Sequence, residues 1–194
     1  VSRREGTRQR LFAAAVDLIA EQGYAATTVD AIAERAGVAK GTVFYNFGSK
    51  EALFSALLED GIARLAATMR ETVAGLEPIE ALDALVRAEL AFVDESEHFA
   101  RLLLAEMWRT AWREAMGALR TDVMGVYVRV LRDAVDARLL REDLDVETAA
   151  VAVFGMVLTV GLSRRADALP VQDAHATLTD LLHGRIGGTL RPPA

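Results

Sequence analysis

Between positions 28 and 50 the side chains suited to chemistry are hydrogen-bonding or cationic: Thr28, Lys40, Thr42, Tyr45, Asn46 and Lys50, with Gly41 set among them. On a helical wheel of about 100° per residue, Thr42, Tyr45 and Asn46 fall on one side and Val43, Phe44 and Phe47 on the other. One side can pack while the other reads. Thr, Tyr and Asn offer hydrogen bonds to base edges or phosphates in a major groove, and Gly41 lets a helix come close. Lys40 and Lys50 flank this face and can pair with phosphates, and Thr28 with the amides that follow it makes an anion-binding helix end.

The ingredients of bond-making chemistry are scarce. The absence of cysteine removes thiol nucleophiles, disulfides and thiolate metal sites together, and only three histidines remain. No Ser-His-Asp set, Gly-rich phosphate loop or paired-carboxylate site stands out. Glu95-x-x-His98 has the spacing of one half of a di-iron site in a helical bundle, and Asp180-x-x-His183 is an imperfect second half. A metal-binding helical enzyme is therefore one rival reading, and His98 with Glu95 or another carboxylate could alternatively take an effector or a single metal. A protein-binding helical scaffold is the other rival, and it leaves the polar face unexplained. The expectation is no catalytic residue, no metal and no cofactor.

The elements that must hold the polar face read as a helix-turn-helix over residues 28–48. Ala33 is small enough to let two short helices cross closely, and Gly37, four residues on, can take the positive φ of the turn. Ile32, Ala36, Val38 and Val43 supply the apolar wedge between the helices. Charge agrees with this placement. Residues 1–50 carry seven basic side chains (Arg3, Arg4, Arg8, Arg10, Arg35, Lys40, Lys50) and five acidic ones (Glu5, Asp17, Glu21, Asp30, Glu34), while the whole chain is −6. An acidic protein with a basic N-terminal segment still binds nucleic acid there, since phosphate contact is local.

This segment resembles the tetracycline-repressor-like (TetR) family of bacterial transcriptional regulators. The resemblance is densest over Ala26–Leu53, through Ala-Thr-Thr-Val, Ile-Ala-Glu-Arg-Ala-Gly-Val, Lys-Gly-Thr and Tyr-Asn-Phe-Gly-Ser-Lys-Glu-Ala-Leu. Beyond about residue 55 only length and helical layout support it. It implies that Thr28, Lys40, Gly41, Thr42, Tyr45, Asn46 and Lys50 occupy DNA-contacting positions, and that the rest of the chain carries a small-molecule site. Two positions depart from the family pattern. Ala39 stands where Ser is common and cannot cap its helix, at a cost of about 1 kcal/mol; Asn46 stands where His is frequent, so base preference does not transfer from relatives.

The 194-residue chain is alanine-rich, 52% hydrophobic and 26% charged, and shows no convincing strand. About nine helices are predicted: 7–22, 28–36, 39–46, 50–73, 78–95, 97–115, 118–140, 145–169 and 172–185, with Gly23, Gly37, Gly48, Gly75 and Gly117 as breaks. The longest near-apolar run, Ala149–Leu162, has fourteen residues against the roughly 20 of a bilayer span and reads as a buried core helix. The charged N-terminus lacks a signal-peptide core, which points to the cytoplasm.

Large side chains that fill a core or line a pocket gather in the acidic remainder: Phe92, Phe99, Leu103, Met107, Trp108, Trp112, Met116, Met124, Tyr127, Phe154 and Leu158. In the eighth helix a small-residue stripe of Thr148, Ala152, Gly155 and Thr159 runs beside bulky Phe154, Val157 and Leu158, and the ninth adds Leu178, Leu181 and Leu182. These two helices are the choice for a two-fold interface, intramolecular burial being the alternative. The expected architecture is all-α: a three-helix DNA-binding domain at 1–48 and a helical effector-binding and dimerisation domain at 49–194. Its expected function is that of a repressor which binds a palindromic operator as a homodimer and is released by a small apolar or aromatic effector.

Overall fold

The computed structural model describes residues 3–106, 117–166 and 171–184. Among these residues every regular element is helical, and the chain resolves into two compact units. The first comprises residues 1–64 and 98–121; the second comprises 65–97 and 122–194.

The first unit opens with α1, Arg3–Ala26, broken at Gly23 (φ 82°, ψ 160°) where a C-cap is expected. Leu11, Ala15, Leu18 and Ile19 are buried along one stripe, as their i, i+4, i+7, i+8 spacing requires. Helix α2, Val29–Arg35, starts on Thr28, whose hydroxyl accepts from the Ala31 amide at 3.1 Å. Helix α3, Lys40–Phe47, starts on Ala39 with no side-chain cap. Helix α4, Lys50–Val73, is capped by Ser49, whose Oγ accepts from the Ala52 amide at 3.1 Å. Leu53, Phe54, Leu57, Leu58 and Ile62 are its buried residues in this unit. Helix α6, Glu97–Glu106, contributes buried Phe99, Ala100, Leu102 and Leu103. A Cβ on Gly61 of α4 would lie 2.1 Å from the Phe99 ring, so the glycine makes the notch in which that ring sits.

In the second unit, Pro78 opens α5, Pro78–Glu95, at a position where no backbone donor is needed. A π turn, Leu119–Val123, leads into α7, Met124–Asp136; then come α8, Val146–Ala166, and α9, Val171–Leu182. Helices α5, α7 and α8 pack mutually, and α9 lies on α5 and α8. Asp145 caps α8 through its bond from the Thr148 amide at 3.1 Å. Where α8 passes α5, a Cβ on Gly161 would meet Val93 at 3.2 Å, which fixes the closeness of that crossing.

Three boundaries differ from the sequence expectation, the first being the start of α1, at Arg3 rather than near Thr7. The π turn has no signal in the residue pattern. Helix α7 stops at Asp136 rather than near 140, because Arg138 adopts φ 59° and the Leu139 and Leu140 amides return to the Ala134 carbonyl at 2.9 and 3.3 Å. That is a helix stop normally marked by glycine, and here an arginine occupies it. The sixth helix was expected to reach 115; its last part lies outside the described residues.

One polar pair sits in the core of the second unit. Glu89 of α5 is 1% exposed, and the Tyr127 hydroxyl of α7 donates to its Oε2 at 2.6 Å. Burial pushes the Glu89 carboxyl well above the usual carboxylate range, with the Tyr127 bond opposing it, and burial beside that carboxyl raises the Tyr127 phenol in turn. The folded chain therefore holds a proton on Glu89 that the unfolded chain releases above its ordinary value, so Glu89 costs stability as pH rises through that window. Glu89→Gln should become more stable relative to the parent chain as pH goes from about 5 to about 8. Urea denaturation at the two pH values checks this, and a difference that does not change with pH contradicts it.

Candidate nucleic-acid interface

Helices α2 and α3 close on Ile32, Ala33, Ala36 and Val43, all buried. The turn between them runs through Gly37 at φ 65°, and the Val38 amide reaches the Ala33 carbonyl at 3.0 Å. A side chain in place of glycine would be strained at that φ. From this base α3 projects Tyr45, 80% exposed, with Lys40 and Gly41 exposed beside it and Thr42 and Asn46 half-buried. Val43 packs as expected. Phe44 does not: it is 45% exposed, a correction to its place on the packing side. An eight-residue helix wedged through Val43 and Phe47 has room for one buried stripe, and Phe44, 100° from Val43, falls at its margin.

Asn46, Lys40 and Lys50 each have a local partner. The Asn46 amide donates to the Thr42 carbonyl at 2.7 Å, leaving its oxygen to accept. Lys40 pairs with Asp30 at 2.9 Å, both exposed. Lys50 is anchored more firmly: its ammonium donates to the Tyr24 carbonyl at 2.7 Å and lies 4.2 Å from the centre of the Tyr24 ring. A Cβ on Gly41 would meet nothing within 4 Å, so no neighbour in the chain demands a glycine there.

Sequence reasoning counted the N-terminal arginines as charge and missed their packing. Arg8 stacks on Phe12 and Phe47, at 4.8 and 5.4 Å, and so ties α1 to the end of α3. Arg35 forks onto Glu21 at 3.0 and 2.9 Å, tying α2 to α1, and its hydrogen bond holds the Glu21 carboxyl below its usual range. An aromatic four residues from an arginine at helical spacing was the available signal for the first; nothing local signals the second.

The candidate effector residues do not form a single described cluster. Met107, Trp108, Trp112 and Met116 lie outside the described residues. Phe99 and Leu103 are buried in the first unit. In the second, Met124, Tyr127, Phe154 and Leu158 are buried, with the Tyr127 and Phe154 rings edge to face at 6.4 Å. Phe92 lines a separate open groove of about 460 Å³ with Thr68, Thr72, Arg87 and Glu95.

Residues 11–57 match the family described as "Bacterial regulatory proteins, tetR family". The chain is 32% identical over 152 residues to the HTH-type transcriptional repressor KstR2 of Rhodococcus jostii, covering 76% of this chain and 74% of the relative. The chain belongs to the tetR family of bacterial regulators. It is 28% identical over 155 residues to the fatty acid metabolism regulator protein of Bacillus subtilis, covering 74% and 76%. A fatty acid metabolism regulator of Clostridium perfringens superposes with a TM-score of 0.84 at 26% identity, covering 92% of this chain and 99% of that one. This tetR-family chain is a transcriptional regulator, a repressor like KstR2, and not an enzyme.

The histidines of the rival metal reading are spoken for singly. His98 Nδ1 lies 3.1 Å from Asp17 and His183 Nε2 lies 2.9 Å from Asp83, both across helices. No group of three metal-ligating side chains occurs among the described residues. On the tetR-family regulator's α8, Thr148, Ala152 and Thr159 are exposed and Gly155 is half-buried, while Phe154, Val157 and Leu158 face inward. On α9, Leu181 is exposed and Leu182 half-buried, but Leu178 is 1% exposed and packs within its own chain.

The two lysines therefore differ in their hold on the protein. Lys50→Met should lower stability by about 1–2 kcal/mol without any DNA present, since it removes both the carbonyl bond and the contact with the Tyr24 ring. Lys40→Met should stay within about 0.5 kcal/mol of the parent, its ion pair being exposed. Urea denaturation of both variants decides, and equal losses would contradict the distinction.

Proposed function

We propose that this regulator binds a two-fold-symmetric operator as a homodimer in the cytoplasm and lets go when an apolar effector enters its second unit. The observation that carries the reading is the exposed polar face of α3, with Tyr45 at its centre and an unhindered Gly41 beside it. Thr42, Tyr45 and Asn46 read bases; Thr28, Lys40 and Lys50 hold phosphates, Lys40 by exchanging Asp30 for a phosphate and Lys50 with the donors that Tyr24 leaves over. Residues 1–48 serve as the reading head and 49–194 as the effector and dimerisation part.

Support for the dimer comes from α8 and α9, which leave Val151 51% and Leu181 40% exposed around Ala152, Gly155 and Thr159. A Cβ on Gly155 would meet nothing within 4 Å in its own chain, so a second copy of α8 could come close there. Leu182 extends the face, and Leu178 backs it from beneath.

For the effector, the buried Met124, Tyr127, Phe154 and Leu158 support an apolar molecule, and the Bacillus subtilis relative is named a fatty acid metabolism regulator. A molecule with a long hydrocarbon chain fits both. Helix α4 runs unbroken from Lys50 to Val73, so a tilt imposed on its later turns moves its first. An effector that binds the released state about 100-fold better than the DNA-bound one supplies about 2.7 kcal/mol, enough to empty many operators.

Footprinting on a selected operator should give two half-sites one helical turn or a multiple apart; protection of a single asymmetric half-site would overturn the reading. Gly41→Ala separates stability from recognition: it should stabilise the free protein by about 1 kcal/mol as a helix former while weakening operator binding by crowding the groove. Thermal denaturation and a titration with labelled duplex measure the two effects, and unchanged operator affinity would remove Gly41 from the interface. Gly155→Glu places a charge at the centre of the face on α8 and should give a folded monomer in sedimentation. A folded dimer would move the interface elsewhere.

A further inference from the structure

Every other buried side chain of α5 is apolar: Ala81, Leu82, Ala84, Leu85, Val86, Leu90 and Val93. Glu89 lies on the same inward stripe, seven residues after Leu82 and four before Val93, where a leucine would satisfy packing. Its Oε2 accepts from Tyr127, and its Oε1 is buried with no hydrogen-bond partner among the described residues. An orphaned buried oxygen destabilises the fold, so its place on the core stripe calls for an explanation.

The chemistry of that oxygen is specific. The Tyr127 hydroxyl has given its one hydrogen to Oε2, so the carboxyl proton resides on Oε1 and needs an acceptor. Phe154 packs its ring edge to face against Tyr127, and in such apolar surroundings desolvation disfavours a charged partner far more than an uncharged oxygen. We propose that the Glu89 carboxyl, oriented by Tyr127, donates a hydrogen bond from Oε1 to a carbonyl oxygen of an otherwise hydrocarbon effector.

This rests on the reading that an apolar effector enters the second unit, and adds the group that selects among such effectors. Shape and hydrophobicity alone discriminate weakly between hydrocarbons, whereas a buried donor that must be satisfied rejects a molecule lacking the acceptor. Glu89 is a specificity residue, and Tyr127 positions it by holding Oε2.

The test uses the full chain and two probes matched in length, 2-undecanone and 1-undecene, each titrated by tryptophan fluorescence and thermal shift. The parent chain should bind the ketone about tenfold more tightly than the alkene, the worth of one buried hydrogen bond. Glu89→Gln should keep most of that preference, because its amide also donates. The double variant Glu89→Met with Tyr127→Phe removes both polar groups together, leaves no orphan to unfold the core, and should bind the two probes equally with alkene affinity unchanged. In difference infrared spectra, the carboxylic acid C=O band that Glu89→Gln lacks should move to lower frequency with the ketone and stay in place with the alkene. Equal binding of both probes by the parent, a preference kept by the double variant, or a band unmoved by bound ketone would each overturn the assignment and leave an apolar site standing. If neither probe binds the parent chain, the apolar-effector reading falls as well.

Discussion

Helices of seven and eight residues do not form by themselves in water, since the cost of nucleating a turn is not recovered over so short a length. The helix-turn-helix of this regulator therefore depends on the crossing of α2 over α3. Ala33 and Val43 meet there because Gly37, at φ 65°, folds the chain back within a few residues. The other ties in the unit secure that crossing from outside: Arg35 onto Glu21 holds α2, and Arg8 between Phe12 and Phe47 holds the far end of α3. With packing settled by residues facing inward, the outward residues of α3 are free of structural duty, and Ala39 can forgo its cap.

Most cations described in this head are already matched. Lys40, Lys50, Arg8 and Arg35 each contact a carboxylate, a carbonyl or a ring within the chain. On the proposed reading, phosphate contact is an exchange of partners more than a capture by bare charge. It costs least where the existing pair is exposed, at Lys40, and most where a ring and a carbonyl share the ammonium, at Lys50. Lys50 is also the first residue of α4, so the group that fixes the start of that helix to the end of α1 stands close after the polar face of α3 in the chain.

How far the sequence could be read follows from how local each cause is. Thr28, Gly37, Gly48 and Ser49 act on amides within three residues or on their own φ, so the limits of α2, α3 and α4 are legible to a residue or two. The end of α7 is not, because Arg138 takes the left-handed conformation that glycine usually announces. The Lys50–Tyr24 contact spans 26 positions and Arg35–Glu21 spans 14, and no periodicity encodes either. Phe44 was misplaced because a wheel divides a helix into halves, whereas α3 buries only a stripe. Glu89 was passed over for the opposite reason. Its spacing from Leu82 and Val93 marks a core position, but its charge type suggests a surface, and only Tyr127, on another helix, resolves the conflict.

Helix α8 raises the same tension between composition and surroundings at larger scale. Val146–Arg164, 19 residues long, contains an 18-residue window with a mean hydropathy of 1.8, long and apolar enough by length and composition to cross a membrane. Its buried side packs on α5, α7 and α9, and near its end the buried Arg164 guanidinium pairs with Asp94, an arrangement of a protein core. Lipid would not require the close crossing that Gly161 makes with Val93, nor a side divided between large inward residues and small outward ones. Small outward residues suit a neighbour that is itself a helix, because they let two backbones approach. The apolarity of α8 is then accounted for by three helices of its own chain and, on the dimer proposed above, by the same helix of a second copy against Ala152, Gly155 and Thr159.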